Sequence, residues 1–123
     1  MEFKEEKMDN FSVNILTRIV CLDEESKNGF SVLLDENGEI PNFNLVKEGN
    51  LDNQVLTFLS NFIHEDHLRF ILSTKTVSSI INDGDNLNIS YNLISSNKIT
   101  KSGKFVKFDK NNIELYRLAN SIR

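Results

Sequence analysis

The residues best able to do chemistry sit at positions 64–67, where the chain reads His64-Glu65-Asp66-His67, its densest run of possible metal ligands. A zinc-peptidase helix needs two histidines four apart around a glutamate, so that both imidazoles share one face. Here the spacing is three, and a metal site would need a further ligand from elsewhere in the chain. The run falls where an amphipathic helix is expected to end, and histidine is favourable beside the negative end of a helix dipole. It reads as a polar helix C-terminus. Asp83-Gly84-Asp85-Asn86 opens like a calcium loop, but the later ligands and closing glutamate of that pattern do not follow. It reads as a turn before a strand.

Nucleophilic catalysis has no frame in this chain. There is no Gly-x-Ser-x-Gly elbow, and the single cysteine, Cys21, lies inside the apolar run Phe11–Leu22. It reads as a small buried hydrophobe. The five glycines, at 29, 38, 49, 84 and 103, are isolated in turns, so no glycine-rich phosphate cradle exists. The residues therefore assign no catalytic set, no metal ligands and no cofactor.

Charge is the next candidate. The net charge is −4, yet residues 98–123 carry Lys98, Lys101, Lys104, Lys107, Lys110, Arg117 and Arg123 against only Asp109 and Glu114. An acidic protein is repelled by bulk nucleic acid, but a basic end can dock on an anionic partner. The plainer reading is a solvated hairpin whose lysines protect a sheet edge. It is favoured here, because only Phe105 interleaves with the lysines where a single-strand binder uses several aromatics.

The elements that must position these residues belong to one domain, since 123 residues is the common size of a single core. No apolar run reaches the ~20 residues of a membrane span, and the charged start MEFKEEKMDN lacks the apolar stretch of a secretory signal. With no cysteine pair, a cytoplasmic location is expected. Asn at 17 positions, with frequent Ile and Lys, fits the coding bias of an AT-rich genome, bacterial or phage.

Residues 1–10 read as a flexible tail and 11–123 as the domain. Phe11 to Cys21 alternates apolar and polar over most of its length, the period of a half-buried strand. Phe30–Leu34 is a short strand, and Asp35-Glu-Asn-Gly-Glu39 carries the Asn-Gly signal of a tight hairpin. After Pro41 comes a short apolar stretch around Phe43, Leu45 and Val46. Leu51, Val55, Phe58, Leu59, Phe62 and Ile63 repeat at helical spacing, with Asn50 placed as N-cap and Asp52 near the positive end of the dipole. Leu68, Phe70 and Leu72 alternate with Arg69 and Ile71, which suggests a strand. Residues 73–86 mix apolar positions with the turn NDGDN and give no clear period. Leu87–Leu93 alternates cleanly, and Lys104–Phe108 is a last strand. Asp109 or Asn111 then caps a C-terminal helix bearing Ile113, Leu115, Tyr116, Leu118, Ala119 and Ile122. The expected class is α+β, a mixed or antiparallel sheet packed by the central amphipathic helix and the C-terminal helix.

The stretch Ile40-Pro41 to Ile63, IPNFNLVKEGNLDNQVLTFLSNFI, resembles the signature segment of a Nudix domain. In that family a Leu-Pro-Gly-Gly segment leads through a Glu-bearing turn to a helix with an Arg-Glu-x-x-Glu-Glu run. Ile40-Pro41 sits where Leu-Pro would, Gly49 where the turn glycine would, and Leu51 begins the helix. NISYNLIS and FVKFDKNNIELYRLA resemble the later strands and terminal helix, so the likeness spans roughly residues 11–121. It implies an α/β/α sandwich. It also implies a missing site, because Nudix hydrolases hold Mg²⁺ or Mn²⁺ with helix carboxylates to neutralise diphosphate and activate water. Here Asn50 takes the turn Glu position, Thr57-Phe58 replaces Arg-Glu, Asn61-Phe62 replaces the final Glu pair, and Asn42-Phe43 replaces the paired glycines.

The resemblance thus leads to a non-catalytic domain that binds a protein partner in a bacterial or phage assembly. Candidate contact residues are Lys98, Lys101, Lys104 and Lys107 of the basic hairpin, with Tyr116 and Arg117 of the terminal helix. One rival is a divergent pyrophosphohydrolase drawing carboxylates from Glu48, Asp52 and Glu65. Another is a nucleic-acid or nucleotide binder using the lysine-rich end.

Overall fold

The computed structural model describes residues 12–22, 30–46 and 49–107. Its axis is strand β1 (Ser12–Leu22), whose alternation sends Ile15, Thr17, Ile19 and Cys21 to one buried face. Asn14, Leu16 and Arg18 stand half-buried on the other. Along one edge β1 runs parallel to β5 (Asn86–Ser95), in register from Ser12 beside Asn86 to Cys21 beside Ser95. Its other edge is shared. Strand β2 (Phe30–Leu34) pairs antiparallel with the end of β1, and β3 (Asn42–Asn44) pairs antiparallel with its first half.

The expected Asn-Gly hairpin is corrected by this arrangement. Residues 35–39 do make a tight turn: Asp35 N–H donates to the Glu39 carbonyl at 2.8 Å, and the Asp35 carboxylate accepts from the amides of Asn37 and Glu39. The flanking strands, however, do not pair with each other. Both lie against β1 in one direction, as two parts of a single strand interrupted by an excursion. Val32 faces Val20, so an unbroken strand would set residue 36 beside Leu16; Asn42 stands there instead, six residues later. Thr17 holds the resumption point, its amide and hydroxyl both donating to the Pro41 carbonyl, at 2.9 and 2.8 Å. A long β1 offered more ladder hydrogen bonds than a two-strand hairpin could.

Strand β4 (Thr76–Asp83) forms a hairpin with β5 through Gly84, whose φ of +62° suits the turn, and β6 (Lys104–Lys107) pairs with β2. The sheet is six-stranded and mixed, ordered β4-β5-β1-β2-β6 with β3 beside β1. Residues 73–86, which showed no period, thus hold an edge strand. Its apolar side chains Val77, Ile80 and Ile81 are exposed, so it carries no core pattern to read.

Helix α1 (Leu51–Leu59) begins where Asn50 accepts the Asp52 amide at 2.7 Å, the capping bond expected of it. The helix is shorter than its apolar spacing suggested, for Ser60 already acts as C-cap. Phe62 and Ile63 continue the apolar face from the following turn, and Ile63 remains buried.

Residues 68–72 are not a strand. They belong to helix α2 (Glu65–Ser73), with Leu68 and Ile71, three apart, in the core and Phe70 50% exposed. Helical spacing prevailed over the alternation of Leu68, Phe70 and Leu72 because burying Leu68 with Ile71 seals the sheet beside α1. His64-Glu65-Asp66-His67 is therefore a helix N-terminus, with Glu65 and Asp66 in the first turn near the positive end of the dipole. The core is the odd face of β1 and β5 closed by Val55, Leu59, Ile63, Leu68 and Ile71. A smaller cluster, Val20 and Val32 with Phe30, Leu34, Ile40 and Val106, lies on the opposite face. The N-terminal tail, Phe108 and the expected C-terminal helix with Tyr116 and Arg117 lie outside the described residues.

Candidate functional site

The stretch that resembles a signature loop and helix forms a cleft. Its wall is Phe43 and Phe58, with ring centroids 4.6 Å apart, and Phe62 backs Phe58 at 5.3 Å. Phe58 and Phe62 meet because residues four apart share a helical face, continued here through the turn after α1. Phe43 reaches them because β3 sets it beside Ile15 on the buried side of the sheet. Around this wall, Val46, Gly49, Asn50, Asn53, Gln54 and Thr57 line a hollow of about 360 Å³, open to solvent.

The loop entering α1 is pinned by one side chain. Gln54 accepts from the Val46 amide at 2.8 Å and donates to the Val46 carbonyl at 3.1 Å, imitating a ladder partner for a residue that has none. Gly49, at φ +107°, turns the chain from that loop into the Asn50 cap. Among the described residues the lining thus offers aromatic faces, amides and one hydroxyl, with no carboxylate.

Of the acidic side chains proposed for metal binding, the described pair Asp52 and Glu65 do not converge. Asp52 points away from the cleft lining and makes an ion pair with Lys75 at 2.8 Å. Lys75 also stands 5.0 Å from the Tyr91 ring centroid. Glu65 lines a different groove with Leu56, Ser60, Leu68 and Lys101. Glu48 lies outside the described residues. His64 is exposed, whereas His67 is half-buried with Asn97 Nδ2 3.4 Å from its ring nitrogens. Among the described residues no group of three or more His, Cys, Asp or Glu side chains could hold a metal ion.

The four lysines of the basic segment are spread out. Lys101 is fastened to the C-terminal end of α1: its amide donates to the Phe62 carbonyl at 2.7 Å and its Nζ to the Ser60 carbonyl at 3.1 Å. A cation there meets carbonyls that a helix end leaves without partners. Lys104 lies beside Leu34 and Lys107 beside Ser31, on opposite faces of β6. Lys98 is exposed in the loop between β5 and β6. That loop crosses the helical side rather than closing a hairpin, since β6 pairs with β2 and not with β5.

Sequence reasoning singled out the helix but missed the stack and the Gln54 clamp. Phe58 and Phe62 carried the spacing signal; nothing local could bring Phe43 to them. The described residues define an α+β domain with a mixed sheet and one helical layer, and no helix among them is long and apolar enough to cross a membrane. No protein-family model matches the chain, and no curated protein matches it.

Proposed function

We propose that this chain is a non-catalytic binding domain on a Nudix-like scaffold, acting through contacts with a protein partner in a bacterial or phage assembly. One observation carries the reading. Three positions that the resemblance gives to a glycine pair, an Arg-Glu pair and a Glu pair are Phe43, Phe58 and Phe62; Phe43 stacks on Phe58, and Phe62 meets Phe58 at a tilt. An aromatic stack fills the place where a diphosphate and its cation would need hard oxygen ligands. The cleft beside it suits an apolar or aromatic side chain presented by a partner, with Asn50 and Asn53 at the rim for hydrogen bonds. The sheet supports the scaffold reading in outline: α1 follows a loop bearing Pro41 and Gly49 and packs on a mixed sheet.

The hydrolase alternative requires Asp52 to leave Lys75 and meet Glu65, which lines a different groove. The nucleic-acid alternative requires one basic surface, and Lys104 and Lys107 face opposite ways. The test is to incubate the purified protein with Mg²⁺ or Mn²⁺ and a panel of nucleoside diphosphate derivatives. No phosphate release above the metal-only background is expected, and robust release would overturn the proposal.

A further inference from the structure

Among the described residues β4 pairs with β5 and has no strand on its outer side. Cross-strand neighbours share a face, so Ile80, opposite Ile89, lies on the helical side and Ile81, opposite Asn88, on the other. They are 62% and 57% exposed, more than a side chain beneath another segment would keep. This edge thus carries an apolar side chain on each face of its outer backbone.

The ladder fixes which backbone groups point outward. Asp83 and Asn86 close a two-residue turn, and the pair that closes such a turn exchanges both of its backbone bonds. On the far side of β5, the Asp85 carbonyl accepts from the Ser12 amide, so alternation along β5 sends Asn86 and Asn88 toward β4. Asp83 and Ile81 meet them. Asn82 and Ile80 then turn their amides and carbonyls away from β5, at the spacing of an antiparallel ladder. A register irregularity between Val77 and Ser79 ends the regular stretch.

That stretch is complementary to itself. Under a two-fold axis at Ile81, Ile80 of each chain meets Asn82 of the other, and each such pair exchanges an amide and a carbonyl bond in both directions. Ile81 then faces Ile81 of the second copy in a non-bonded pair, where side chains approach closest. Self-pairing sets the charges of a strand against like charges, and Thr76 to Asn82 carries none. Asp83 falls opposite Ser79 of the second copy. At the other end of the described sheet, β6 has Lys104 and Lys107 among its four residues, charges of the kind that block edge pairing.

We propose that β4 is a docking edge for a second copy of this chain, giving a two-fold dimer whose two sheets join antiparallel around Ile81. A two-fold contact uses the same edge of both chains and so stops at two. One strand pair is small against the ~1,600 Å² of a standard interface, so the dimer is a weak one that dissociates on dilution. The edge shares no residue with the cleft lining and does not depend on how that cleft is used.

Sedimentation velocity of the full chain, from micromolar to millimolar, is expected to move from monomer to dimer and no further. Over the same range, the amides of Ile80 and Asn82 should gain protection from hydrogen exchange, while the Ile81 amide, already turned to β5, keeps its own. Ile81→Cys should cross-link across the axis when oxidised with diamide, because the paired Cβ atoms fall within disulfide reach. Val77→Cys, beyond the irregularity, should not, and neither should the native chain, whose Cys21 is buried. A chain still monomeric at millimolar concentration overturns the proposal. So does a dimer whose Ile80 and Asn82 amides exchange as fast as in the monomer, or assembly that continues past two chains. Equal cross-linking at positions 77 and 81 overturns the register around Ile81.

Discussion

The ammonium of Lys75 stands 2.8 Å from the carboxylate of Asp52, the one acidic side chain of α1. The pair ties the start of α1 to the residue that precedes β4 and engages the only carboxylate of that helix. Asp52 is 77% exposed by side chain, so the bridge itself adds little. Asp52→Asn should cost no more than about 1 kcal/mol in urea unfolding. It should also leave phosphate release at background in the presence of Mg²⁺. A stability loss well beyond that, or an activity that disappears with the carboxylate, would contradict this account.

Gln54 is expected to matter more than its partial exposure suggests. It supplies both a donor and an acceptor to Val46, the residue that starts the turn into α1. Gln54→Ala should destabilise by about 1 kcal/mol per bond lost, discounted for exposure to water. The clearer readout is local: the Val46 amide should exchange with deuterium markedly faster while the amides of β5 keep their protection.

Gly103 and Gly38 both sit at positive φ, +75° and +80°, but in different surroundings. A methyl group at Gly38 meets open space, so Gly38→Ala should cost only the left-handed conformation, about 1 kcal/mol. At Gly103 the same methyl would run into the backbone carbonyl of Leu34, where β6 begins to pair with β2. Gly103→Ala should therefore cost beyond about 2 kcal/mol. Equal losses at the two positions, by thermal or chemical unfolding, would count against the β2–β6 edge as described.

Residues 65–73 offer a test of helix against strand. Ile71 is fully buried and Phe70 half-exposed, the reverse of what a strand with Leu68, Phe70 and Leu72 inward would give. Ile71→Ala should destabilise by about 2–5 kcal/mol and Phe70→Ala by less than about 1. The opposite ranking would restore the strand.

Strand β4 exposes Val77, Ile80 and Ile81 at 54%, 62% and 57%, and it is the edge of the sheet. Between Thr76 and Asn82 it carries no charge and no proline to discourage a second strand. Ile81→Lys should raise the concentration at which the protein begins to associate, measured by light scattering, without lowering its unfolding midpoint appreciably. A protein that associates as before would place the sticky surface elsewhere.

The sequence by itself determined what depends on neighbours along the chain. Alternation marked β1 and β5, and short strands were read at β2 and β6, each to within a residue or two where they are described, and Asn50 announced the start of α1. Those signals are local because side-chain period and capping are properties of short segments. Residues 68–72 were misread because so short an apolar stretch fits both periods until a core chooses between them. The tertiary structure alone decided which strands meet. It laid β2 and β3 end to end along β1, carried the chain across the helices to β6, and brought Phe43 to Phe58. It also placed Arg18 beside Asn92, residues 74 positions apart that a parallel register sets side by side. Long-range pairing answers to the burial and hydrogen bonding of the whole sheet, which no window of sequence contains.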